Sequence, residues 1–344
     1  MLLTTIIAFV FVLGLLVIVH ELGHFATARA VGMGVREFGI GFGPKLASKR
    51  FGDTVYSLGI VPLGGFVKIA GMDPDEEQDE TSFGSKPIWA RMLVIAAGSL
   101  MNFVLPVLLF FLVLMGAGVD QPSEAPVIGN VFAGKPAAVA GLAPGDKILT
   151  VDGKPVAVWM DIVNAIRVSA NREVAITYER AGSAGSLKLV PEFDPKTNRG
   201  VIGVMPQINK YAPGPGEAIG LAFKQTFAVG AAVLGGLVQM ITGQAPADVA
   251  GPIGVAQMTG EVAKMGFLPL LQFAAFLSIN LGLINLLPVP VLDGGHLMTL
   301  VVEAVRGKPL SREKLQLIQM IGFALLMGLM LLATFKDIIR LNLF

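Results

Sequence analysis

The sequence predicts a multi-pass α-helical membrane protein of about four transmembrane helices, with a glycine-rich β-hairpin region and one inserted α+β domain. Three observations predict it. The chain of 344 residues is 53% hydrophobic and only 15% charged, with a mean hydropathy of +0.70, a balance that water-soluble domains rarely show. Several segments reach the roughly 20 apolar residues needed to span hydrocarbon. Between two of them lies a stretch, 122–206, of ordinary soluble composition. A net charge of +1 gives no electrostatic case for nucleic acid. The absence of cysteine excludes disulfides, thiol catalysis and cysteine-held zinc.

Residues 1–30 form the first span, with no charge from Met1 to Val19. No Lys or Arg precedes the apolar run, and no plain cleavage site ends it, so it reads as a spanning helix and not a signal peptide. At its end stands His20-Glu21-Leu22-Gly23-His24. On a helix the histidines fall at i and i+4 on one face. There they can share a zinc ion, with Glu21 placed to take a proton from water on the metal.

Residues 31–91 read as a β-hairpin region and a loop. Gly39–Pro44, Thr54–Leu58 and Gly64–Ile69 are short β-type runs punctuated by glycine, and Asp73–Glu80 is an acidic loop. The second span is 92–117. In the island 122–206, Ile148–Val156 reads as a strand, an Asp152-Gly153 turn and a second strand. A short helix fits 158–167, and strands fit 174–178 and 187–190. Residues 214–266 read as a helical region at the membrane surface, because 217–242 is apolar yet carries Glu217, Lys224, Gln225 and Gln239. The third span is 267–306, which runs uncharged to Leu287 before Pro288 and Pro290, and the fourth is 312–340.

Charge orients these spans. Arg29, Arg36, Lys45, Lys49, Arg50 and Lys68 follow the first span, and Arg306, Lys308, Arg312 and Lys314 follow the third. Both loops belong in the cytoplasm by the positive-inside rule, which puts the island in the periplasm. An odd number of crossings must then separate the island from 303–314. Either 217–242 or 267–287 spans, and the cleaner apolar run, 267–287, is the one chosen.

Catalytic zinc takes three protein ligands and one open position. Without cysteine, the third ligand is a carboxylate or His296, the one remaining histidine. Asp293, in Asn285-Leu-Leu-Pro-Val-Pro-Val-Leu-Asp293-Gly-Gly-His296, is the candidate. It follows an apolar run, sits where two prolines break the helix, and an ionisable group at membrane depth points to function. The charge-derived topology brings it to the depth of His20 and His24. A helix N-cap is the bland alternative for Asp293, and packing is the bland alternative for His296.

The run Pro136-Ala-Ala-Val-Ala-Gly-Leu142 with Pro144-Gly-Asp146 and Val151-Asp-Gly153 resembles a PDZ domain of bacterial envelope proteases. The chain as a whole resembles the bacterial site-2 proteases, in their sigma-E-regulating branch. The HELGH run, Gly41-Phe42-Gly43-Pro44, this PDZ-like island, Gly251-Pro-Ile-Gly254 and the Asn285–His296 run occur in that family's order. The resemblance implies an intramembrane zinc endopeptidase of the bacterial inner membrane, its active site toward the cytoplasm. It implies zinc on His20, His24 and Asp293, Glu21 as general base, and Asn280 and Asn285 binding the substrate strand or orienting its carbonyl. The Gly41–Gly43 stretch would be a membrane-reentrant β-loop, and the substrates single-pass membrane proteins already trimmed outside, of the anti-sigma-factor type, with leftover signal peptides. One island stands where well-known members carry two PDZ domains, which leaves substrate gating open.

A substrate helix must unwind before cleavage, and its freed backbone groups need partners. An edge strand of the hairpin region could supply them, with Gly41 and Gly43 allowing close approach beside Phe42. Two rival classes remain: a membrane-tethered PDZ adaptor, and a transporter using His20, Glu21 and Asp293 as a proton relay. An intact Glu21 speaks against the first, and few polar residues in the other spans against the second.

Overall fold

The computed structural model describes residues 2–72, 76, 78–195, 197–245 and 250–340; Asp73, Pro74, Asp75 and Glu77 of the expected acidic loop lie outside them. The chain divides into two units, Met1–Ala117 with Gly214–Phe344, and Gly118–Pro213.

The larger unit opens with α1 (Leu2–Ala30), which carries the charge-free run and ends on Arg29, a cation suited to a helix C-terminus. Next come β1 (Val35–Phe51) and β2 (Thr54–Ile69), paired antiparallel. The short β-runs of the sequence are therefore one long two-stranded ribbon. Its register shifts repeatedly between Val35 and Ala47, so the ribbon is bulged and bent where glycines interrupt it. Then α2 (Ile88–Ala117) carries Pro106 inside it.

The smaller unit holds β3 (Val119–Pro122), β4 (Ile128–Val131), α3 (Pro136–Val139), β5 (Lys147–Val151), β6 (Lys154–Pro155), α4 (Trp159–Arg167), β7 (Val174–Arg180), β8 (Ser183–Leu189), β9 (Glu192–Asp194), β10 (Arg199–Val201), β11 (Val204–Pro206) and β12 (Ile208–Tyr211). Its largest sheet runs β6-β5-β7-β8. Asp152 and Gly153 both have positive φ, 52° and 74°, the backbone that a tight two-residue hairpin turn requires. Ile128, Ile148, Val151, Ile162, Ile166, Val174 and Ile176 form its core, sheet against α4. Beneath them Asp146, its side chain 0% exposed, is gripped by Arg180 at 2.7 Å and by the Ala143 N–H at 2.8 Å.

The larger unit resumes with α5 (Pro215–Ile241), α6 (Pro252–Met265), α7 (Phe267–Asn285), α8 (Asp293–Arg306) and α9 (Arg312–Arg340). The segment 267–306 is thus two helices and not a single span, because Pro288 and Pro290 interrupt it. Among the described residues five helices, α1, α2, α5, α7 and α9, are long and apolar enough to cross a membrane. The fifth is α5, from the segment expected at the membrane surface, and it packs along α2 and α7.

Contacts order the helices. Gly116 of α2 lies against Leu268 of α7, and Gly282 of α7 against Ser99 and Asn102 of α2, so the two run antiparallel. Gly260 of α6 meets Thr5 of α1, which puts the start of α1 and α6 at the end where α7 begins. At the N-terminus of α6, the Gly251 and Gly254 N–H groups donate to the Asp337 carboxylate of α9, at 3.0 and 2.8 Å. Asp337 is only 2% exposed, and its charge is met by the positive end of the helix.

Candidate metal centre

Two turns of α1 supply the first donors. His20 and His24 stand edge to face, ring centroids 4.9 Å apart, with their Nε2 atoms 3.2 Å apart. The third donor comes from α8. Asp293 is its first residue, and the N-cap position falls to Leu292, so the carboxylate is turned inward and does not cap. Its Oδ2 lies 3.4 Å from His20 Nε2 and its Oδ1 3.5 Å from His24 Nε2. Ligands at about 2.0–2.1 Å from a tetrahedral ion are separated by about 3.3 Å along each edge. The three separations match such a triangle, and among the described residues His20, His24 and Asp293 form the one metal-competent cluster found. His296, the alternative third ligand, sits one turn further along α8 and outside that cluster.

The backbone is built for these approaches. A Cβ at Gly98 of α2 would collide with the His24 imidazole, and one at Gly23 with the Ala97 carbonyl, so only glycine lets α1 and the ring lie on α2. A Cβ at Gly294 would collide with the carbonyls of Leu286 and Leu287, which explains the glycine after Asp293. Val291 in the same turn has φ 81°, a strained conformation for a β-branched residue.

Partners fix the donors. His24 Nδ1 donates to the Val94 carbonyl at 2.8 Å, leaving Nε2 as a lone pair. Ser99 Oγ donates to Asp293 Oδ2 at 2.9 Å. Asn102, fully buried, approaches His20 Nδ1 at 3.2 Å. Pro106 has no N–H to give the carbonyl four residues before it, which is that of Asn102, and Ser278 Oγ of α7 donates to that carbonyl at 2.9 Å. The sequence reading missed Ser99 and Asn102. Their signal was there: they are polar residues one helical turn apart in an otherwise apolar span.

Glu21 is half-buried on α1, and the ribbon reaches it at Gly65, whose Cβ position is 3.0 Å from Glu21 Cγ. Gly41 and Gly43 have φ 80° and 84°. They lie on the strand beyond, where Ile40 pairs with Gly65, and Phe42 stacks on Phe66 at 6.4 Å. Asn280 donates its amide to the Phe276 carbonyl of its own helix at 2.8 Å. Asn285 is half-buried at the end of α7.

Residues 8–329 match the model of the family described as Peptidase family M50. The chain is 36% identical to the regulator of sigma-W protease RasP of Bacillus subtilis, over 99% of this chain and 100% of that one. It is also 36% identical to the zinc metalloprotease RasP of Bacillus licheniformis, over 98% and 99%. Among solved structures, the PDZ domain of an SdrC-like protein of Listeria monocytogenes is 23% identical over 25% of this chain and 90% of that chain, with a TM-score of 0.22. The corresponding domain from Listeria innocua is 20% identical over 26% and 100%, with the same TM-score of 0.22.

Proposed function

The chain belongs to peptidase family M50, and from that premise we propose that it hydrolyses peptide bonds inside the bacterial inner membrane, with His20, His24 and Asp293 holding zinc and Glu21 acting as base. The triangle of two imidazole nitrogens and one carboxylate, with edges of 3.2, 3.4 and 3.5 Å, carries the reading. Bound there, zinc supplies a Lewis acid and brings the pKa of a water down to about 7. Glu21 takes the proton of the attacking water and returns it to the leaving amide nitrogen. Asn285, at the open end of α7, and Asn280 hold the substrate strand or its developing oxyanion by donating from their amides. Asn280 gives one of its two amide N–H groups to the Phe276 carbonyl and keeps the other for the substrate.

The ribbon receives the unwound substrate by strand addition beside Gly41, Phe42 and Gly43, and delivers it to Glu21, beside which Gly65 lies so closely that a Cβ there would crowd it. The substrates are single-pass membrane proteins trimmed outside, of the anti-sigma-factor kind, with signal-peptide remnants. The active site faces the cytoplasm. The smaller unit, on the periplasmic side, is a PDZ module, and its groove of about 380 Å³ between α4 and Arg199–Val204 acts as size filter or product sensor.

The test compares the parent with Glu21→Gln on a trimmed single-pass substrate in proteoliposomes, with zinc measured in both. Loss of cleavage by about 10²–10⁴-fold with zinc retained is expected. Equal cleavage would remove Glu21 from the mechanism, and absence of zinc from both would remove the metal centre.

A further inference from the structure

The Asn102 side chain is completely buried, and its amide is placed with Nδ2 3.2 Å from His20 Nδ1 while Oδ1 has no hydrogen-bond partner. That placement conflicts with the chemistry of the site. If Nδ2 donates to Nδ1, the His20 ring must carry its proton on Nε2. But Nε2 is the atom turned to His24 Nε2 at 3.2 Å and to Asp293 Oδ2 at 3.4 Å, where a ligand needs a lone pair. His24 shows the compatible arrangement, with its Nδ1–H donating to a carbonyl.

The two ends of an asparagine amide are told apart only by their hydrogen bonds. Turning this one over sets Oδ1 against His20 Nδ1–H and gives the orphaned acceptor a donor. It also leaves both Nε2 atoms as lone pairs facing Asp293. Resting on the metal reading above, we infer that Asn102 is a positioning residue for the centre. Its Oδ1 accepts from His20 Nδ1–H and so holds that imidazole in the tautomer and orientation that can ligate. The Ser278 hydroxyl on the Asn102 carbonyl keeps this turn of α2 in register.

The experiment measures zinc affinity of the purified full-length apoprotein in detergent, by competition with a chromophoric chelator, for the parent, Asn102→Leu and Asn102→Asp. Loss of a partner that orients a metal-binding histidine costs about 10–100-fold in metal affinity, and that loss is expected for Asn102→Leu. Asn102→Asp, whose carboxylate accepts from the same N–H, is expected to stay within about threefold of the parent. Cobalt substituted for zinc should give the parent's absorption bands in Asn102→Asp and altered bands in Asn102→Leu. A space-filling role would leave both variants close to the parent, because aspartate and leucine keep the length and branching of asparagine. Asn102→Leu binding as tightly as the parent would overturn the inference. So would Asn102→Asp binding tenfold or more weaker than the parent, the result expected if the amide donates. Should Asn102→Leu not fold, the aspartate variant decides alone. A parent that binds no zinc would sink the metal reading itself and is told apart by that control.

Discussion

Buried carboxylates are held in different ways in the two units. In the smaller unit Asp146 is sealed from solvent and meets a full opposite charge, the half-exposed Arg180 guanidinium. In the larger unit, among the described residues, Asp337 meets backbone N–H groups at a helix N-terminus, and Asp293 meets a serine hydroxyl and two imidazole nitrogens. The contrast follows from solvent. A long cationic side chain can keep its head wet at the rim of a soluble domain. Within a helix bundle in hydrocarbon, amide dipoles and a bound cation can serve as counter-charges in place of a long cationic side chain. The larger unit is not uniform in this: Glu303, 15% exposed like Asp293, pairs with Arg91 at 2.6 Å.

If the difference is real, each unit should be damaged without the other. Asp293→Asn should weaken zinc binding most, by more than about 100-fold, beyond what loss of an orienting partner costs. It should leave the unfolding of the smaller unit unchanged. The two tryptophans make this measurable, since Trp89 lies in α2 and Trp159 in α4. In a Trp89→Phe background, fluorescence follows the smaller unit alone. Movement of both readouts together would break the comparison.

The reverse substitution, Asp146→Ala, should destabilise the smaller unit by about 1.5–3 kcal/mol, the range for hydrogen bonds to a charged group, since the half-exposed Arg180 left behind stays hydrated. Zinc content should be unchanged. Ser278→Ala should cost the larger unit about 1 kcal/mol in thermal denaturation. Pro106→Ala restores an N–H to the Asn102 carbonyl, so in that background the cost of Ser278→Ala should shrink by about half or more, as a double-mutant cycle would show. Additive effects would mean that the hydroxyl is not repairing the proline gap.

The smallest effect is on pH. Burial pushes the Asp146 carboxyl up, but Arg180 and the Ala143 N–H outweigh it and hold it below its usual 3.8. A folded value below the unfolded one adds stability at every pH above 3.8, and the gain is lost as pH falls through the folded value. Denaturation of the smaller unit followed through Trp159 should show no slope from this group between about pH 5 and 8 and a decline below about pH 4. Asp146→Asn should make the decline shallower, leaving the part due to Asp161, which the Val158 and Ala157 N–H groups also hold below 3.8.

The HELGH run was legible because two imidazoles and a carboxylate close an uncharged apolar segment, a combination that packing alone does not demand. The proline-broken run before Asp293 was legible for a related reason, since an irregular backbone at that depth must serve a site. The Asp152-Gly153 turn could be read because the backbone there needs positive φ. Ser99, Asn102 and Gly98 passed as ordinary small residues of a span, because their significance depends on which face of α2 meets α1. The ribbon was underestimated for a different reason. Its glycines read as hairpin turns, whereas several of them bend and bulge strands that continue. The division of 267–306 at Pro288 and Pro290 was visible, but the length of α8 beyond it depends on packing against α2.

The clamp between Asp337 and the start of α6 sets an order of events during synthesis. Asp337 leaves the ribosome 83 residues after Gly254, about 4–17 s later at 5–20 residues per second. Through that interval α6 has an N-terminus with no anion to accept from it, although α1, α2 and α7 can already assemble. Among the described helices α9 is the last to be made. Until α9 docks, a nascent chain can hold His20, His24 and Asp293 while the start of α6 still lacks its anion.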